Sequence, residues 1–161
     1  MEAINQQFRK FMFTAFNYLP TRYKANAEQW KVRNFIWAFK DGKQWACDGA
    51  ANIIASQILK KYGSDAKQMV FACIPASSEY KNEIRYKHFS ELVCKVTGMQ
   101  NAFGHITVEN DRLAIHENGR GKRVHEASVL SFDKNFFRDK QVLVFDDIIT
   151  QGFSYTRFAN V

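Results

Sequence analysis

Two adjacent carboxylates, Asp146 and Asp147, end an apolar run, Val142 to Phe145, and are followed by Ile148, Ile149 and then Thr150, Gln151, Gly152, Phe153 and Ser154. The apolar run reads as a strand buried on both faces. That puts the carboxylates at its C-terminal end, where ligands of open α/β sheets sit. The loop that follows offers backbone N–H groups, two hydroxyls and the positive end of a helix to an anion, and Gly152 lets the backbone approach closely. Carboxylates accept hydrogen bonds from hydroxyls while such a loop holds a phosphate. The segment therefore suits a ligand with neutral hydroxyls beside a phosphate, which is the chemistry of a ribose 5-phosphate group. An isolated Asp-Asp pair would read as a strand cap; the ordered combination points to a ligand.

The elements that must position this segment alternate between helical and extended patterns. Ala3 to Tyr18 carries apolar and aromatic residues at roughly helical spacing and predicts an amphipathic helix closed by Pro20. Residues 21–29 are polar and read as a connector, so residues 1–29 form an N-terminal helical segment and residues 30–161 the α/β domain. Trp30 to Phe39 gives an apolar body ended by the turn signal Asp41-Gly42. Asp48 to Tyr62 predicts a helix with Asp48 as N-cap, Lys60 and Lys61 in its last turn and Gly63 as its stop. Gln68 to Pro75 predicts a buried strand, Ala76 to Lys81 a polar loop, Arg85 to Thr97 a second helix stopped by Gly98, and Ala102 to Val108 another strand. Residues 110–125 are polar and basic and read as a mobile loop, and residues 129–140 as a connector before the last strand. This alternation argues for an α/β domain with a mostly parallel sheet flanked by helices.

The 161 residues are about one domain's worth. With 46% hydrophobic and 24% charged residues the chain has the composition of a folded globular domain. No apolar run approaches the roughly 20 residues of a membrane helix, and the N-terminus lacks the basic-then-apolar order of a secretory signal. The expectation is a soluble cytoplasmic domain. Cys47, Cys73 and Cys94 are odd in number and far apart, and read as buried reduced thiols rather than disulfides or a zinc site. His88, His105, His116 and His125 show no metal-ligand spacing and read as surface or hydrogen-bonding residues. A net charge of +7 suits either nucleic acid or small phosphorylated ligands.

The run VLVFDDIITQGFS resembles the phosphoribosyl-pyrophosphate (PRPP) signature of type I phosphoribosyltransferases: an apolar strand, two acidic residues, two apolar residues, then Thr/Ser-x-Gly-x-Thr/Ser. Asp146, Asp147, Thr150, Gly152 and Ser154 match it, with Gln151 where the family often has Thr. Further matches follow in order: FIWAFKDG with an early apolar-Lys-Gly element, FACIPAS with a strand ending in Pro before a loop, and EIRYKHFSELVCKV with an Arg-Gly-Phe-Asn helix start. They resemble the ComF-type, amidophosphoribosyltransferase-like branch associated with competence. In the last match Arg85 takes the arginine position, Tyr86 stands at the glycine, and one extra residue precedes Phe89. That branch's N-terminal zinc-binding cysteines are absent.

The resemblance implies a type I fold truncated after the PRPP loop, because the chain stops at Val161, a few residues into the following helix. It implies that Asp146 and Asp147 hold the ribose hydroxyls, that residues 150–154 hold the 5-phosphate, and that Ala76, Ser77 and Ser78 meet pyrophosphate. Arg85 would reach the same anion, and Arg120, Lys122 and Arg123 would belong to a flexible loop over the site. Asp146, Asp147 and Arg85 are thus the expected catalytic residues. The implied reaction is displacement of pyrophosphate from PRPP by a nitrogen nucleophile, with Mg²⁺ carried largely by the substrate and no dedicated protein metal site. The alternative is a non-catalytic PRPP-sensing or DNA-uptake accessory module whose charge faces nucleic acid. The acceptor and the oligomeric state, a homodimer included, stay open.

Overall fold

The computed structural model describes residues 12–109, 129–149 and 158. The first helix among the described residues, α1 (Ala27–Lys40), starts on a capping box: the Asn26 side chain accepts from the Gln29 N–H at 2.9 Å, and Gln29 Oε1 accepts from the Asn26 N–H at 2.9 Å. That spacing lies inside the stretch read from sequence as a connector. Residues 12–18 are not helical, contrary to expectation. Phe13 and Ala15 pack inward while Thr14 and Phe16 face out, the period of an extended segment. Arg33 explains the difference. Buried at 2% exposure, it donates to the backbone carbonyls of Leu19, Pro20 and Tyr23 at 2.9, 2.6 and 2.8 Å and straps the segment along α1.

Helix α2 (Gln44–Tyr62) begins a turn before the expected Asp48, which lies inside the helix and pairs with His88 instead of capping. A 3₁₀ stretch (Gly63–Gln68) leads into β1 (Val70–Cys73), buried along its whole length as expected. A helical run then extends from Glu79 to Thr97: α3 (Glu79–Asn82), a π turn (Glu83–Lys87) and α4 (His88–Thr97). It starts six residues before the predicted Arg85. After Gly98 come the short β2 (Gln100–Asn101) and a 3₁₀ turn at Phe103–His105. Next are β3 (Ile106–Glu109) and β4 (Val129–Phe132), then α5 (Lys134–Phe137), capped by Asp133, and β5 (Val142–Phe145). Residues 129–140 are therefore a strand and a helical turn, not a plain connector. The alternation of Leu130 and Phe132 inward gives the strand its buried face.

The architecture is α/β. Strands β2, β1 and β5 form a parallel sheet in that order, with Val70 opposite Val142 and Cys73 opposite Phe145. Strands β3 and β4 form a separate antiparallel pair, Ile106 opposite Phe132. Phe71 and Cys73 of β1 and Leu143 and Phe145 of β5 face a helical layer made by α1, α2 and α4. Val70, Ala72, Val142 and Val144 face the β3–β4 pair, α5 and Phe158. Strand β5 is half-buried throughout, less enclosed than the fully buried strand expected. No helix among the described residues is long and apolar enough to cross a membrane.

Candidate functional site

Phe145 anchors the end of β5. Its ring meets Phe89 at 4.7 Å and also contacts Phe71, Phe39 and Tyr86 between centroids, so β5 ends on an aromatic cluster from α1, β1, the π turn and α4. Beyond it the period of two puts Asp147 on the side of Leu143 and Phe145, facing the helical layer. There Arg85 Nη1 donates to Asp147 Oδ2 at 2.9 Å, both side chains being about one-tenth exposed. Lys40 Nζ stands 3.6 Å from the same oxygen. The Arg85 guanidinium also donates through Nε and Nη2 to the Lys40 carbonyl, at 3.2 and 3.1 Å, and lies over the Tyr86 ring. Burial and the Asp147 charge push the Tyr86 hydroxyl's pKa well up, so it stays protonated.

Asp146 is differently placed. Its Oδ1 accepts from the Asp147 N–H at 2.9 Å, and no cation among the described residues pairs with it. Burial first, and the neighbouring Asp147 charge second, push its carboxyl up to about 6 from the ordinary 3.8. Adjacent carboxylates thus have different environments: Asp147 is ion-paired and fixed, while Asp146 is a half-buried acceptor with no ion pair among the described residues, the Lys40 charge offsetting its raised carboxyl only in part.

Because β1 and β5 are parallel neighbours, the segments after them leave the same edge of the sheet. The Ile74 N–H donates to the Phe145 carbonyl at 2.8 Å and ties the two together. The chain runs from β1 to β2 on one side and returns to β5 on the other, which opens a crevice at this edge. Ala76 is buried, with its N–H taken by Asn82 Oδ1 at 3.2 Å. Ser78 Oγ accepts from the Lys81 N–H and starts the helical run, and Ser77 is exposed. A cleft of about 610 Å³, within the usual range for ligand pockets, opens beside the carboxylates. Phe13, Phe16 and Tyr18 of the strap, Ile54 of α2, and Asp146 to Ile149 line it.

The structure therefore joins Arg85 to Asp147 and places Ala76, Ser77 and Ser78 in the segment that follows β1. Thr150, Gln151, Gly152, Phe153 and Ser154 lie outside the described residues, as do Arg120, Lys122 and Arg123, His116 and His125. His88 and His105 are hydrogen-bonded, to Asp48 at 2.6 Å and Asp133 at 2.9 Å. All three cysteines are free and buried. Among the described residues no group of three or more His, Cys, Asp or Glu could hold a metal ion. Sequence reasoning missed Lys40 and Arg33. The Lys-Asp-Gly order after an apolar helix was the available signal for Lys40; nothing local marks Arg33. No protein-family model matches the chain, and neither the curated proteins nor the solved structures give a match.

Proposed function

We propose that the chain has a type I phosphoribosyltransferase fold and binds PRPP, transferring its phosphoribosyl group to a nitrogen nucleophile with release of pyrophosphate. The observation that carries this reading is the pair of carboxylates after β5, one paired with Arg85 and Lys40 and one with no ion pair among the described residues, beside the segment that follows β1. Asp146, a half-buried acceptor, takes hydrogen bonds from ribose hydroxyls. Asp147 does not bind the ribose freely: with Arg85 and Lys40 it fixes the end of β5 and sets the charge beside Asp146. Mg²⁺ prefers oxygen ligands, keeps several waters and takes few protein ligands, so it would be carried largely by the phosphates of PRPP. When bound with pyrophosphate, the ion offsets charge on the leaving group. The residues contribute positioning and charge complementarity for an oxocarbenium-like transition state.

Calorimetric titration of the full chain with PRPP and Mg²⁺, followed by a pyrophosphate-release assay over nitrogen acceptors, tests the reading. Saturable PRPP binding abolished by Asp146→Ala, with release on adding an acceptor, is the expected result. Binding without release for any acceptor would make the chain a PRPP-binding module, and no binding would overturn the reading altogether.

A further inference from the structure

The turn between α1 and α2 touches the Arg85–Asp147 pair in more ways than a connection requires. Lys40 closes α1, so its carbonyl is among those that the helix leaves without an internal partner. Arg85 supplies that partner with two N–H groups, at 3.2 and 3.1 Å, where the negative end of the helix favours a cation. The Lys40 ammonium reaches the carboxylate that Arg85 holds, 3.6 Å from Asp147 Oδ2. One residue thus binds Arg85 through its backbone and Asp147 through its side chain.

Two residues on, Gly42 has φ +68°, and a Cβ there would lie 2.6 Å from the Ile84 carbonyl oxygen and 3.0 Å from Ile84 Cβ. Ile84 is the residue before Arg85 and sits in the π turn. The turn therefore lies against the π turn at a distance that only glycine allows. Gly63 provides the contrast, with φ +54° and nothing within 4 Å of a built Cβ. On the other side, Cys47 Sγ lies 3.9 Å from the Arg85 carbonyl.

We infer that Lys40–Gly42 is a positioning element for the candidate site. The Lys40 carbonyl and the close approach at Gly42 set where Arg85 stands, and Arg85 sets where Asp147 stands. Gly42 and the Lys40 backbone act through Arg85, whose position is then fixed by helix packing before any ligand arrives. The inference rests on the proposed function only in taking Arg85 and Asp147 as working groups.

The test compares Gly42→Ala with Gly63→Ala in the full chain. Both place alanine at positive φ, but only the first meets the π turn. The readout is water exchange of the Arg85 Nε–H by nitrogen-15 NMR, its signal identified by its loss in Arg85→Lys. In the wild type it should exchange more slowly than the Nε–H of exposed Arg22. Gly42→Ala should speed it by roughly tenfold, about what one hydrogen bond is worth, and Gly63→Ala should leave it unchanged. Retained protection in folded Gly42→Ala, or equal loss in both variants, overturns the inference. Should Gly42→Ala not fold, wild-type exchange as fast as that of Arg22 overturns it, and slow exchange supports it. PRPP titration of the same variants is read separately: a wild type that takes no PRPP sinks the proposed function, while the NMR result still decides the positioning.

Discussion

Asp146→Asn should make the protein more stable at neutral pH and weaken its hold on PRPP. The wild-type carboxyl is pushed up to about 6 in the folded chain, mainly by burial, against 3.8 when unfolded. Below 3.8 both states carry the proton and the group contributes nothing to the balance. Between 3.8 and about 6 the folded state keeps a proton that the unfolded state has lost, so stability falls as pH rises. Above about 6 both are ionised and the full cost is present. At about 1.4 kcal/mol per pH unit the interval sets a ceiling of about 3 kcal/mol, and solvent reaching the half-buried group brings the expectation to about 1–2 kcal/mol. Asparagine keeps an Oδ1 for the Asp147 N–H and removes the charge. Urea unfolding of both proteins from pH 4 to 8 measures this directly. The wild type should lose stability between pH 4 and 6 relative to the variant, with the variant ahead at pH 7. A variant no more stable than wild type at pH 7, or parallel profiles through that interval, would refute the claim that Asp146 is held at a cost.

Arg85→Gln should destabilise the fold by about 2–3 kcal/mol. Losing one partner of a buried pair costs about 3–5 kcal/mol, and Lys40 still offsets part of the Asp147 charge; a loss under about 1 kcal/mol in urea unfolding would contradict the pairing. Arg33→Met strips the bonds from three carbonyls of the strap and should cost about 2–4 kcal/mol. It should also make residues 19–23 an early site of limited proteolysis, and an unchanged cleavage pattern would remove Arg33 from that role. The thiols should be inert in the native state: burial pushes Cys94 up to about 12 and Cys73 well above its ordinary value, and raises Cys47. Rapid labelling of any one by a thiol reagent at pH 8 without denaturant would show that the packing around it is wrong.

Short-range signals carried much of the fold. The apolar strand before Pro75, Gly63 and Gly98 as helix stops, and Asp146-Asp147 at a strand end were legible because each depends on neighbours in sequence. The errors came where distant contacts override local pattern. The aromatic run at residues 12–18 has helical spacing, but Arg33, more than ten residues away, takes its following carbonyls and leaves it extended. Asp48 has the chemistry of a cap and the position of a mid-helix residue, because the tight Gly42 turn lets α2 begin at Gln44. The strand at Val129–Phe132 was missed because its partner lies beyond a long polar stretch. The start of the second helix was not legible either: Glu83–Lys87 is a π turn, which closes its hydrogen-bonded ring over five residues instead of four.

That π turn and the alternation of β5 together explain why two identical neighbouring side chains have separate roles. A strand sends consecutive residues to opposite faces, so Asp147 pairs directly with Arg85 and Lys40, while Asp146 feels Lys40 only through its charge at longer range. The π turn brings Arg85 to the end of α1, where the Lys40 carbonyl receives it and the Lys40 ammonium adds a second cation beside Asp147. One residue fewer in that turn would rotate the side chains that follow by about 100° around the helix axis. Tyr86, 1% exposed between Phe39, Phe89 and Phe145, fixes that rotation from the core side. The aromatic cluster thereby does two things: it holds the end of β5, and it holds the turn that neutralises one of the two carboxylates leaving that end. What remains for a ligand is Asp146, which has no ion pair among the described residues and lies in the wall of a cleft that Asp147, Ile148 and Ile149 also line.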